Sequence, residues 1–496
     1  MRWHGSLLAV CLILLAPLLL VDVPPLLDYP NHLARLLVLA TGTDDPVLSQ
    51  FYAPRWGIIP DVGIDVLGLA LLPLLPVHVA GRVILGIVLL LPVLGTAAYS
   101  RALHGRTTWW ALGGGLLAYS GTFLLGFLNF TAAIGLALLF AAAWLRWRED
   151  HPVPMIFLAI PAAVALFFCH LMGLLFFALL IGAHEAAALW SARANGRVVL
   201  LSAIRRLGAG AVVFAVPVTL YAMSDLGAMR GEAVFLPPAA KLAQLMMPLT
   251  NYSLPLDAAT AVVIALILMA ARWRVPLSAG IAIAVLALLY AAAPFAFKGT
   301  FSLDTRLVVM LGFLLFAGIA PIIAPPVFPS ARRFGVLLLL VFAVRMTVLG
   351  MVWYGHNQEI ASLRAAIAPV PPGATVFVST SRPSGAAARL SDGARTDIHL
   401  PALLLIERRA WWPFLFDNPS QQPIETRAPY AGLAERVGAM ADLNAVTPRD
   451  LCGFDFLLTL SDSGATLSKL APDPVCAPPA EPQPERTGHD LVDRRP

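Results

Sequence analysis

The chain has 496 residues, 59% hydrophobic and 13% charged, with a formal net charge of +5. Soluble domains carry about twice that charged fraction, so the composition excludes an ordinary soluble enzyme. With a mean hydropathy of +0.78 and apolar runs recurring from residue 6 to residue 353, it indicates a polytopic α-helical membrane protein. The sequence pI near 9.2 does not imply nucleic-acid binding, because the arginines cluster between apolar runs, where they set topology.

The N-terminal "MRWHGSLLAVCLILLAPLLLV" has a basic start and an apolar core but no A-x-A-like cleavage site, and reads as an uncleaved first span over 6–21. A first outer loop, 22–79, follows. Pro24-Pro25 break the span, and Tyr29-Pro30 keeps the chain extended until a helix begins near Asn31. Asn31 is a candidate cap, and His32 and Arg35 fall on one face. Asp28 sits just before that helix. Within "VGIDVLGLALLPLLPVHV", residues 62–79, the uninterrupted apolar part from Val66 to Val77 is 12 residues. That makes about 18 Å of helix against a hydrocarbon core of about 30 Å. With Pro73 and Pro76 inside it, the segment reads as an interfacial helix.

Ten further spans are expected near 80–99, 109–124, 127–145, 153–169, 171–190, 207–223, 256–271, 276–293, 306–326 and 334–353, giving about eleven transmembrane helices. Alternate connections then carry Arg101/Arg106, Arg146/Arg148, Arg193/Arg197/Arg205/Arg206, Arg272/Arg274 and Arg332/Arg333, on the same side as Arg2. The positive-inside rule makes that side cytoplasmic. The sparsely basic connections 22–79, 224–255 and 294–305 face the other way, as does everything after the last span. The transmembrane domain is expected over 1–355 and a small extracytoplasmic α/β domain over 356–470. In it "GATVFVST" (373–380) and "FDFLLTL" (454–460) read as buried strands, and "HLPALLLIERRAWWPFLF" as a helix with an aromatic exit. The Pro-rich 471–496 reads as disordered. Cys452 and Cys476 can pair in an oxidising compartment, while Cys11 and Cys169 lie in apolar runs.

The polar residues on the outer side are the candidates for chemistry. Asp28 is the candidate catalytic carboxylate. His32, Arg35 and His170 accompany it as candidate substrate-binding groups, and Asp44-Asp45 and Asp61/Asp65 are further outer carboxylates. Phe127-Leu128-Asn129 reads as a simple helix cap in a tight outer turn. Lys298, Asp304 and Arg306 stand where a late span begins, and two cations at the lipid–water boundary suit a phosphate. Snorkelling anchors are the competing reading. Arg345 lies inside an apolar run, where an unpaired arginine costs at least a few kcal/mol. Being about 12 Å from the outer end by helical rise, it is within reach of an outer cavity. No CxxC or His-rich metal spacing exists.

The segments "LLDYPNHLAR", "DVLGLALLPLLPVHVAGR" and "SRALHGR" resemble the GT-C fold of lipid-linked glycosyltransferases, which includes the bacterial aminoarabinose transferase and the protein O-mannosyltransferases. The resemblance covers about the first 150 residues by motif and the later spans by pattern. It implies a bacterial inner-membrane enzyme that moves a sugar from a polyprenyl-phosphate donor to a lipid, glycan or protein acceptor on the periplasmic side, with Asp28 acting at the acceptor. No acidic-x-acidic pair stands at this spot, so metal dependence and the identity of the sugar stay open, and no other cofactor is implied. A transporter or lipid flippase is the alternative. Such proteins gather charges near the bilayer midplane, whereas here they gather in outer loops.

Overall fold

In the computed structural model, residues 3–42, 44–194, 199–322, 331–380, 387–437, 441–442, 446–461, 464–471 and 474–476 are described. The tail beyond residue 476, Arg2, Thr43 and Arg197 lie outside them. Helices form where the apolar runs are long, and several of them continue through an internal proline, Pro17, Pro92, Pro161 and Pro217. In chain order they are α1 (Trp3–Leu20), α2 (Tyr29–Thr41), α3 (Gly63–Leu71), α4 (Val77–His104), α5 (Leu128–Trp147), α6 (Pro152–Cys169), α7 (Leu171–Ala194) and α8 (Val199–Met223). Then come α9 (Leu254–Ala270), α10 (Leu277–Ala292), α11 (Leu303–Gly318) and α12 (Ala331–Ile367). Among the described residues seven helices, α1, α4 to α8 and α12, are long and apolar enough to cross a membrane. The chain is a helical membrane protein. Helix α3, at nine residues, is about 14 Å long and too short to cross.

Residues 109–124, expected as an α-helical span, are not one. Trp110–Leu117 is a 3-10 helix and Gly121–Leu124 a single α-turn. The segment nevertheless runs beside α1 for most of its length. Trp3 Nε1 donates to Thr108 O (2.9 Å), Tyr119 OH to Leu14 O (2.8 Å), and Leu27 N to Leu124 O (3.0 Å). A 3-10 helix has three residues per turn, so the consecutive Gly113, Gly114 and Gly115 point in three directions. A Cβ on each would meet a different helix: Phe316 of α11 at 2.1 Å, Thr96 of α4 at 3.1 Å and Val10 of α1 at 2.8 Å. Poorly bonded backbone is tolerated at membrane depth only when protein covers it, and residues 110–124 are all buried. Hydropathy sees the apolar thickness but not this form of the backbone.

The other departure is α12, which continues past the expected boundary at 355. Trp353, His356, Ile360, Leu363 and Ile367 are buried along one stripe, so packing carries the helix on beyond the apolar run. The C-terminal part then forms a mixed four-stranded sheet. Val376–Thr380, wholly buried, lies between parallel neighbours Ala441–Asp442 and Phe456–Ser461, and Gly464–Lys469 pairs antiparallel beyond the latter. Residues 397–416 hold only a 3-10 turn, Leu400–Ala402, and the short helix Leu403–Arg408. Arg409 ends that helix in the left-handed region (φ 55°), and the chain then runs back beside Thr375 through Trp411. Cys452 and Cys476 form a disulfide.

Among the ties that hold this part on the helical bundle, three stand near the N-terminal loop or at the end of α12. Tyr52–Pro54 pairs antiparallel with Ile424–Thr426. Arg364 of α12 donates to Asp22 (2.6 Å) and Glu407 (2.7 Å). Asn31 of α2, fully buried and not a cap, donates to Phe414 O (2.7 Å) and accepts from Phe416 N (2.9 Å). At the opposite end of the bundle Glu185 gathers Arg148, Arg206 and Trp144 Nε1.

Candidate functional site

Asp28 occupies the N-cap position of α2, yet its side chain makes no capping hydrogen bond. The backbone around it is fixed by the 121–127 turn: Leu27 N and Asp28 N donate to Leu124 O and Leu125 O. Gly126 (φ +88°) completes the turn, and a Cβ there would come within 2.6 Å of Asp28 Cβ. That carboxylate, freed from capping, places Oδ1 3.1 Å from Nδ1 of His399. His399 stands edge-on to Phe416, with ring centroids 4.9 Å apart, and the Asn31 clamp holds Phe416 in place. His32 Nε2 is 3.2 Å from Gly126 O and carries the proton of that bond. Burial first, then the charges of Arg35 and His399, hold the imidazole well below its ordinary pKa, so it is neutral.

Across from Asp28, the loop before α3 is clasped on both sides. Asp61 N and Val62 N donate to Phe168 O (3.2 and 2.8 Å). Asn129 donates to Asp61 O (2.7 Å) and accepts from Ile64 N (2.7 Å), so its amide stitches two loops together rather than capping α5. The clasp holds Asp61 at φ +128°, a conformation that costs a non-glycine residue about 1–3 kcal/mol. Burial, opposed by Arg35 and Arg306, pushes the Asp61 carboxyl up to about 7.

His170 lies in the turn between α6 and α7. Its Nδ1 accepts from Met172 N (3.1 Å), so in the neutral ring Nε2 bears the proton. Burial and the neighbouring Arg306 keep the ring neutral. Nε2 stands 3.5 Å from Arg306 Nη1, so two donors converge with no acceptor between them. The Arg306 guanidinium lies over Phe127 (4.6 Å) and Phe130 (5.8 Å).

Two cavities meet here. One, of about 380 Å³, is polar, and Asp28, His32, Asn129, Phe416, Asn418 and Gln422 are among its walls. The other, of about 590 Å³, is bounded mainly by apolar side chains of α7 and α8. Asp61, His170, Thr300, Arg306 and Gln421 line both and form the junction. His32 Nδ1, Asp61 Oδ1, Arg306 Nε and Gln421 Nε2 are buried without a hydrogen-bond partner. Such atoms are rare in folded proteins, and four of the twenty found among the described residues line this one space.

The residues singled out from the sequence are distributed unevenly. Asp28, His32, His170 and Arg306 reach the polar cavity. Lys298 reaches only the apolar one, its ammonium donating to Leu226 O (3.2 Å), Gly227 O (3.1 Å) and Tyr221 OH (3.3 Å). Three line neither cavity. Arg35 forms a buried bidentate pair with Asp65 (2.8 and 2.9 Å). Arg345 is bonded to Asp257 (2.8 Å), Thr260 (3.2 Å) and Leu249 O (2.6 Å), so it fastens α12 to α9 instead of reaching an outer cavity. Asp304 accepts from Thr305 N and faces Lys241 at 4.0 Å. His399 and Gln421 were not singled out, and Asp61 only as one of several outer carboxylates; the available signal was the polar "DNPSQQ" directly after "WWPFLF". Among the described residues no group of three or more His, Cys, Asp or Glu is placed to hold a metal ion. Comparison with protein-family models, curated proteins and solved structures finds no match.

Proposed function

We propose that this chain is a GT-C-like membrane glycosyltransferase that transfers a sugar from a polyprenyl-phosphate donor to an acceptor hydroxyl. The observation that carries the reading is the junction itself. An apolar cavity between α7 and α8 opens onto a polar one, and unpaired buried donors lie where the two meet. That pattern matches an amphiphile whose phosphate separates a lipid tail from a sugar. The tail lies against α7 and α8, and the phosphate is held by Arg306, His170 Nε2 and Gln421 Nε2. Guanidinium suits phosphate because it offers paired donors. The sugar and acceptor occupy the polar cavity beside Asp28.

In the reaction the acceptor oxygen attacks the anomeric carbon as its proton passes to Asp28. The bond from that carbon to the phosphate oxygen breaks, with the electron pair going to phosphate. General base assistance of this kind contributes about 10²–10⁴-fold, and no covalent enzyme intermediate is required. The arginine-rich end is assigned to the cytoplasm, which puts both cavities and the C-terminal α/β part at the periplasmic face of the inner membrane. Ten helices and the 3-10 segment would then make eleven crossings, with α2 and α3 at the interface.

The test is release of polyprenyl phosphate from a panel of polyprenyl-phosphate pentoses and hexoses by the purified protein supplied with an envelope extract of lipids, glycans and proteins as the source of acceptor. Release by wild type and its loss in Asp28→Asn supports the reading. Failure to bind or turn over any member of the panel sinks it.

A further inference from the structure

Arg306, His170 and Gln421 all present donors at the junction, but Asp61 is lined up on the same two walls with a buried, unpartnered Oδ1. An ionised carboxylate there would repel the phosphate that the other three groups attract. We propose that Asp61 works as the acid, donating a hydrogen bond to a non-bridging phosphate oxygen of a lipid-linked phosphodiester. It thereby makes occupancy of the anion site depend on a proton. This rests on the phosphate reading of the junction and adds to it a residue that selects when the anion can enter.

The surroundings account for the acid form. Burial, the largest influence, and Asp65 of α3 oppose the carboxylate, while Arg35 of α2, Arg306 of α11 and the Asn129 side chain favour it. Asn129 of α5, and Cys169 and His170 at the α6–α7 turn, add uncharged groups, while Asp28, His32 and Asp417 share the polar cavity with it and Lys298 the apolar one. Asp65, the bidentate partner of Arg35, offsets part of the pull that Arg35 exerts on Asp61. The carboxyl's pKa of about 7 means it is protonated below pH 7 and ionised above it. A bound anion raises that value further, so the ligand brings a proton with it when it binds above pH 7.

The test measures binding, with no transfer step. Geranylgeranyl methyl phosphate is the probe, because its single charge does not titrate near neutrality. Wild type is expected to bind it at pH 6 and to lose about tenfold in affinity by pH 8.5. Asp61→Asn keeps a neutral donor of the same size and shape. It is expected within about threefold of wild type at pH 6, with no further fall by pH 8.5. Asp61→Ala is expected about tenfold weaker at pH 6, with the alkaline fall also gone. Thermal unfolding of each variant confirms that the loop is intact. The proposal is overturned if the Asn variant binds as weakly as the Ala variant at pH 6, or keeps the wild-type alkaline fall. It is overturned equally if wild type does not bind the diester at pH 6, or binds geranylgeraniol as well. If dimethyl phosphate, which carries the same single charge without a lipid chain, shows the same variant pattern as the lipid diester at similar affinity, the role of Asp61 stands and the lipid-linked transferase reading falls.

Discussion

Arg35 and Arg306 look alike in the sequence, each an arginine a few residues into a helix beside an outer loop. Their surroundings make them opposites. Arg35 shares a bidentate buried pair with Asp65, so Arg35→Ala leaves a buried carboxylate uncompensated. Thermal or chemical unfolding in detergent should show a loss of about 3–5 kcal/mol. Arg306 Nε has no partner and its neighbour His170 offers a second donor, so Arg306→Gln removes an unpaired buried charge. Stability should hold or rise, while the apparent KM for the lipid donor rises at least tenfold. Asp28 caps nothing, and its carboxylate is turned instead to His399, a contact that asparagine can keep as a hydrogen bond. Asp28→Asn should lower turnover at least 100-fold with a Tm within about 2 °C of wild type. Asp28, His32, His170 and Arg306 are legible in the sequence because a polar or charged residue near an apolar boundary is conspicuous. Arg35 and Arg345 are equally conspicuous, but their partners Asp65 and Asp257 lie 30 and 88 residues away and show no periodic relation to them. Asp61 was passed over as one outer carboxylate among several, since burial and backbone strain leave no mark in composition.

Elements were readable to the extent that hydrophobicity alone determines them. Helices α1 and α4 to α12 fall where apolar runs predict them, and the strands Val376–Thr380 and Phe456–Ser461 coincide with two short apolar runs. What failed was the assumption that an apolar run must be an α-helix. In 109–124 the triplet Gly113-Gly114-Gly115 overrides it, because three helices close in on a backbone without side chains. Gly113→Ala should therefore destabilise by about 1–3 kcal/mol through overpacking against Phe316. Gly182→Ala, on α7 with open space around it, should be neutral or stabilising by up to about 1 kcal/mol. Equal effects of the two in a thermal unfolding series would mean that the glycines are not there for close approach. Helix α12 outran its expected end for a related reason. Its amphipathic stripe beyond Trp353 is clear once helical, but the polar "HNQE" disguises it in a hydropathy reading.

The whole molecule joins chain segments nearly 400 residues apart, and that joining was not apparent from the sequence. Asp28 and His32 share a cavity with Phe416 and Gln421, held by the Asn31 clamp and by the pairing of Tyr52–Pro54 with Ile424–Thr426. The same joining predicts topology. In a Cys11→Ala, Cys169→Ala background, single cysteines replacing Gln50 and Glu435, both exposed, should react with an impermeant thiol reagent in intact spheroplasts. One replacing Gly105, exposed at the arginine end, should react only after lysis. Labelling of Gln50 and Glu435 from opposite sides would contradict the arrangement. The buried 3-10 segment has a further consequence for how such a protein is made. Gly113 is shielded by Phe316 and Gly115 by Phe342, residues that leave the ribosome about 200 positions later. At 5–20 residues per second that delay is about 10–40 s. Through that interval the segment either sits in lipid as an ordinary α-helix and rewinds when α11 and α12 arrive, or is sheltered by the insertion machinery until they do.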